Sequence, residues 1–154
     1  MKAQTCCFTG HRHIPKTEYE RIYKVLFDEI TTLVKKGITR FRCGGALGFD
    51  TAAALVVLDV RKLHPEISLI MDIPCENQKK FWSEEDKLTY DYILAVADEV
   101  NVLSDHYHRG CMQRRNRYMV DHSSYIIAYQ TEKIGGSAYT VNYARSLGLR
   151  VIML

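Results

Sequence analysis

No apolar run in these 154 residues approaches the roughly 20 needed to cross a bilayer as a helix, so a membrane-spanning role is set aside. The opening stretch Met1-Lys2-Ala3-Gln4-Thr5 offers neither a signal-peptide core nor a cleavage site, and a cytoplasmic protein is expected. The five cysteines, Cys6, Cys7, Cys43, Cys75 and Cys111, form no C-x-x-C pair and no spacing suited to zinc. They read as reduced thiols, with Cys7 and Cys43 packed in strands as small apolar residues, and no metal site is expected. There is no low-complexity linker, internal repeat or appended domain, which leaves one domain over residues 1–154. The net charge of +3 is too small to imply nucleic acid by itself. Two phosphate-binding fingerprints are missing as well: G-x-G-x-x-G after the first strand, and G-x-x-x-x-G-K-[ST]. An ordinary dehydrogenase or ATPase is therefore disfavoured, and no bound cofactor is expected.

What the chain does have is a regular alternation of strand-like and helix-like segments. A 47% hydrophobic and 25% charged composition is that of an ordinary soluble domain. At this length folding buries about 70% of the unfolded surface without disulfides. The predicted strands run over 5–8, 40–43, 68–73, 99–103, 124–129 and 149–153. Helices are predicted over about 17–36, 50–64, 88–97, 112–121 and from the glycines at 135–136 to 147. In the first of them Ile22, Val25, Leu26, Ile30 and Leu33 mark a buried face, and Gly37 closes it as a left-handed cap. The stretch 75–86 reads as irregular, anchored by Phe81 and Trp82. Alternation of this kind predicts an α/β protein, a Rossmann-like three-layer sandwich around a mainly parallel sheet.

Three turns follow a strand and lead toward a helix, so a parallel sheet gathers them at the carboxyl ends of its strands, where such folds bind ligands. In Thr9-Gly10-His11-Arg12, Gly10 permits a tight turn while the Thr9 hydroxyl and the Arg12 cation suit a phosphate. In Gly44-Gly45-Ala46-Leu47-Gly48, small residues let backbone amides approach an anion at a helix amino end. Gly135-Gly136-Ser137-Ala138 repeats that logic with an added hydroxyl. One glycine turn alone is as readily a mere connector; three together favour a site. Asp50 suits the helix dipole as well as it suits a ribose hydroxyl. Within Gln113-Arg114-Arg115-Asn116-Arg117, helical spacing puts Arg114 and Arg117 on one side and turns Arg115 away, so at least one arginine is expected to reach the pocket. The histidines His11, His13, His106 and His108 lack a supporting carboxylate for a metal. Tyr90, Tyr92, Tyr107 and Tyr118 are candidates to stack on a base, although tyrosines more often cap a core edge.

Taken together, Phe8-Thr9-Gly10-His11-Arg12, Cys43 to Asp50, Arg114-Arg115-Asn116-Arg117 and Gly135 to Ala138 resemble the SLOG superfamily. That superfamily groups DprA, the LOG phosphoribohydrolases and small stand-alone YpsA-like proteins of bacteria, and the resemblance is closest to the last group. It implies a Rossmann-like fold that binds nucleotides or nucleotide-derived ligands. The DprA likeness lies in the strand, glycine turn and aspartate of Gly44 to Asp50 and in Arg115-Asn116-Arg117, and it implies single-stranded DNA as an alternative partner. The LOG enzymes use an arginine and the glutamate of G-G-x-G-T-x-x-E. Here Ala138, Tyr139 and Asn142 replace the later glycine, the threonine and the glutamate, and an amide does not shuttle a proton as a carboxylate does. Glu132 and Glu76 are the carboxylates that could stand in.

The expected function is binding or sensing of a nucleotide-type small molecule, such as an ADP-ribose or dinucleotide derivative. Thr9, Gly10, His11 and Arg12 form one group of candidate ligand-binding residues, and Gly44, Gly45, Ala46, Gly48 and Asp50 a second. Arg114, Arg115, Asn116, Gly135, Gly136 and Ser137 complete the set. A nucleotide N-glycosidase and a DprA-like single-strand binder are the alternatives. A homo-oligomer is also considered, because exposed aromatics such as Phe81 and Trp82 would need covering.

Overall fold

The computed structural model describes residues 1–130 and 135–154. Among them six strands form one sheet: β1 (Thr5–Gly10), β2 (Arg40–Cys43), β3 (Ser68–Ile73), β4 (Glu99–Val102), β5 (Tyr125–Tyr129) and β6 (Arg150–Met153). All neighbours pair in parallel, in the order β4-β3-β2-β1-β5-β6. Parallel strands need crossovers, and helices α1 (Lys16–Lys35), α2 (Phe49–Leu63), α3 (Glu84–Val96), α4 (Cys111–Asp121) and α5 (Gly136–Ser146) provide them. The result is the Rossmann-like α/β architecture that the alternation predicts.

Side-chain alternation along the strands divides the core in two. On one face Cys6, Phe8, Phe41, Leu69 and Met71 pack against Ile22, Leu26 and Ile30 of α1, the alanines of α2, and Tyr90 and Ile93 of α3. On the other face Cys7 and Ile126 pack against Met119 and Val120 of α4 and Ala144 of α5. The second cluster is smaller, and polar groups take over toward β3. Arg42 Nη1 donates to both oxygens of Asp72, at 3.0 and 2.9 Å, beneath the ring of Tyr118, and Asn101 Nδ2 donates to Asp72 Oδ1 at 3.1 Å. Asp72 has no solvent exposure, and burial raises its pKa despite the arginine.

Local chemistry sets the ends of the elements. Gly37 adopts φ +97° beyond α1, and its N–H donates to Val34 O while Ile38 N–H donates to Leu33 O, closing the helix as its sequence implies. Ser83 Oγ accepts from Asp86 N at 3.1 Å, so α3 starts at Glu84, earlier than the apolar pattern alone suggests. Of the two expected anchors of the irregular stretch, Trp82 does pack, edge to face with Tyr90 at 5.3 Å, but Phe81 is 91% exposed. Among the described residues, no helix is long and apolar enough to cross a membrane.

Candidate functional site

The chain steps outward from β1 to β4 and then returns across the sheet to β5, on the other side of β1. This reversal opens a crevice at the carboxyl end of β1. A cleft of about 340 Å³ occupies it. Thr9, Gly10, His11 and Arg12 form one wall as β1 runs out, and Ala46 and Asp50 contribute from the start of α2. Met112, Gln113, Arg115 and Asn116 line it from the first turns of α4, and Gly135, Gly136 and Ser137 from the amino end of α5. The three turns singled out in the sequence therefore meet at one cleft, because parallel strands bring their carboxyl ends to the same rim.

At the buried side of the cleft lies Arg115, only 3% exposed. Its Nη1 donates to the carbonyl of Gly44 and, at 3.5 Å, to that of Asp72; its Nε donates to Asn116 Oδ1 at 2.8 Å. Among the described residues, no carboxylate oxygen lies within 4.0 Å of it. Burial pulls its pKa down, opposed chiefly by the nearby charge of Asp50. A guanidinium stays protonated even so, and a buried cation without an ion-pair partner is a strong attractor of anions.

Asp50 is buried as well, and burial raises its pKa, against the pull of Arg115 and the hydrogen bond from Ala46 N. That bond, 3.2 Å from Ala46 N to Asp50 Oδ2, staples the glycine-rich loop, as does Thr51 Oγ1 donating to Ala46 O at 2.9 Å. The Ala46 amide is thus already engaged by the protein's own carboxylate.

Gly44, Gly45, Gly48 and Arg114 do not line the cleft, and the space around each shows what it does instead. A Cβ on Gly44 would lie 2.5 Å from Arg115 Nη1, so the missing side chain makes room for the guanidinium. Gly45 faces Ile73, Gln78 and Tyr90. Gly48 has φ +77°, and a Cβ there would lie 2.3 Å from the backbone of Arg12; its neighbour Phe49 N–H donates to His11 O at 3.0 Å. Gly48 thus lets two loops cross closely, which brings Arg12 over the cleft. Arg114 is exposed, on the outer side of α4. Asn142, at the place of the LOG glutamate, is exposed and outside the cleft, as is Glu76; Glu132 lies outside the described residues.

Sequence reasoning passed over Met112 and Gln113 in the cleft and did not choose Arg115 from among its neighbours. A signal was present: Cys111, Arg115 and Met119 recur every four residues, so two apolar positions place Arg115 on the buried face. Of the tyrosines considered for base stacking, none lines the cleft; Tyr90 is buried in the core, while Tyr92 and Tyr107 are exposed.

This arrangement of turns accompanies a family relationship. The YpsA family model, described as the YspA SLOG family, matches residues 7–150. The chain belongs to the YpsA SLOG family. The SPbeta prophage-derived protein YoqJ of Bacillus subtilis is 34% identical over an alignment of 137 positions, covering 78% of this chain and 80% of its own. A UPF0398 protein of Halalkalibacterium halodurans is 29% identical, with 94% and 76% covered. Among solved structures, DNA processing protein A (DprA) of Streptococcus pneumoniae superposes with a TM-score of 0.70 at 22% identity, over 99% of this chain. DprA of Helicobacter pylori, described for its single-stranded DNA binding mode, gives 0.64 at 20% over 97%. This YpsA-family chain spans 50% and 64% of those two DprA chains, and what it shares with them is the fold.

Proposed function

We propose that the protein binds a nucleotide or nucleotide-derived ligand in this cleft, with a phosphate held by Arg115, Arg12 and the amino end of α5. The observation that carries the reading is the Arg115 guanidinium, buried at the cleft without a carboxylate partner among the described residues. A phosphate oxygen arriving there gains charge-assisted hydrogen bonds from a guanidinium that is itself largely screened from water. The Ser137 hydroxyl and the backbone amides of the first turn of α5 add neutral donors and the positive end of a helix dipole. The glycine-rich loop is not assigned a phosphate of its own, because Gly44, Gly45 and Gly48 do not line the cleft and the amide at Ala46 is taken up by Asp50.

The N-glycosidase alternative requires a carboxylate at the sugar, and among the described lining residues only Asp50 supplies one. The DprA-like alternative draws support from the fold, while a net charge of +3 gives little field for a polynucleotide. One set of measurements separates the three. Calorimetric titration of the native protein with nucleoside monophosphates, diphosphates and ADP-ribose is expected to show saturable binding without release of free base. Arg12→Ala, at an exposed side chain, is expected to weaken that binding by about tenfold, the worth of a charge-assisted bond. Release of base would favour the glycosidase, and binding confined to oligonucleotides with a steep salt dependence would favour the DprA-like reading.

A further inference from the structure

A second recess, of about 70 Å³, opens beside the cleft and shares Arg12, Ala46 and Met112 with it; its remaining walls are Leu47, Gln78 and Trp82. Both amide atoms of Gln78, Nε2 and Oε1, are buried and have no hydrogen-bond partner among the described residues. An unsatisfied buried donor and acceptor on one side chain are costly, and an apolar occupant would leave them so. The neighbouring Trp82 is held edge to face against Tyr90, with centroids 5.3 Å apart and planes at 89°. The segment is further pinned by Trp82 N–H donating to Lys79 O at 3.0 Å and Gln78 N–H to Cys75 O at 3.3 Å. An indole, a thioether and a leucine side chain provide polarisable contact for a flat ring, and a carboxamide pairs with any ring edge that sets a donor beside an acceptor. The nucleobases are the common biological groups with both properties.

We propose that this recess is a nucleobase subsite, in which a ring edge enters against Trp82, Leu47 and Met112 and the Gln78 side chain turns its unpartnered amide away from Gly45 to hydrogen-bond with it. The inference rests on the phosphate reading of the main cleft, since the shared wall of Arg12, Ala46 and Met112 lets one ligand reach both. It deepens that reading by giving the base a place of its own beside the bound phosphate. The small volume of the recess suits one ring edge and excludes a second sugar phosphate.

The test is calorimetric titration of the full chain with the four nucleoside 5′-monophosphates and, as an abasic probe, ribose 5-phosphate. The best nucleotide is expected to bind about tenfold or more tightly than ribose 5-phosphate, in line with a base stacked on an aromatic side chain. Trp82→Ala and Gln78→Ala are expected to erase most of that margin while leaving ribose 5-phosphate affinity within about twofold, and Trp82→Phe to keep part of it. Phosphate binding with no preference for nucleotides, or a preference that survives both alanine variants, overturns the subsite and leaves the phosphate cleft standing. If neither class of probe binds, the phosphate reading fails and the subsite with it.

Discussion

A methyl group at Gly44 would stand 2.5 Å from Arg115 Nη1, so Gly44→Ala has to push the guanidinium out of its seat or strain the turn. The expected cost is about 1–3 kcal/mol of stability, as for other overpacked sites, together with a loss of nucleotide affinity. Denaturant unfolding and ligand titration of the same variant check both; unchanged affinity would show that Arg115 does not need this position. Asp50 carries a pH signature. Its pKa is raised in the folded protein by burial, so the native state holds its proton more tightly than the unfolded chain does. The stability it contributes is present below the ordinary value of 3.8 and is lost as pH rises through the raised folded value. The stability of the native protein relative to Asp50→Asn is therefore expected to decline across that window, and unfolding curves at several pH values measure it. A difference that grows with pH would reverse the assignment.

At the scale of elements, the site depends on two loops that cross. Gly48 lies at φ +77°, and the backbone of Arg12 passes where its Cβ would be. Gly48→Ala is thus expected to cost at least about 2 kcal/mol, since backbone cannot rotate away as a side chain does. The parting loops would move Arg12 off the cleft, lowering nucleotide affinity in the same variant. A near-neutral substitution here would mean that the crossing is looser than it stands. The elements themselves were readable in advance because apolar residues recur at helical spacing, as in Ile22, Leu26 and Ile30, and because capping residues such as Gly37 act locally. The start of α3 was harder to read, because its first turn, Glu84-Glu85-Asp86, carries no apolar residue and is marked only by the Ser83 cap and by its acidic charge.

Across the whole molecule the two faces of the sheet differ in kind. The face under α1, α2 and α3 is a broad apolar core, whereas beneath α4 the apolar cluster gives way to the Arg42, Asp72 and Asn101 network, with Arg115 alongside. Removing one partner of a buried pair leaves a stranded charge, so Asp72→Ala is expected to destabilise by about 3–5 kcal/mol. The double replacement of Arg42 by Met and Asp72 by Leu is expected to recover most of that loss. Urea unfolding of the two variants decides it; a double variant as unstable as the single one would show that the network contributes more than mutual neutralisation. Trp82, considered from sequence as a surface aromatic, is instead half-buried beside the cleft, while Phe81 keeps its exposure.

By itself the sequence determined the α/β layering, the parallel character of the sheet and the three turns at the carboxyl ends of strands, because each follows from periodicity or from chemistry within a few residues. Which glycines face a ligand and which face another part of the chain was settled only in three dimensions: Gly44 meets Arg115 and Gly48 meets Arg12, partners distant in sequence. Arg115 differs: its spacing with Cys111 and Met119 marks the buried side of α4 in the sequence, and the tertiary structure decided only that this side meets Gly44 and the cleft. Local patterns carry no information about such long-range neighbours, and it is those neighbours that turn a set of loops into a cleft.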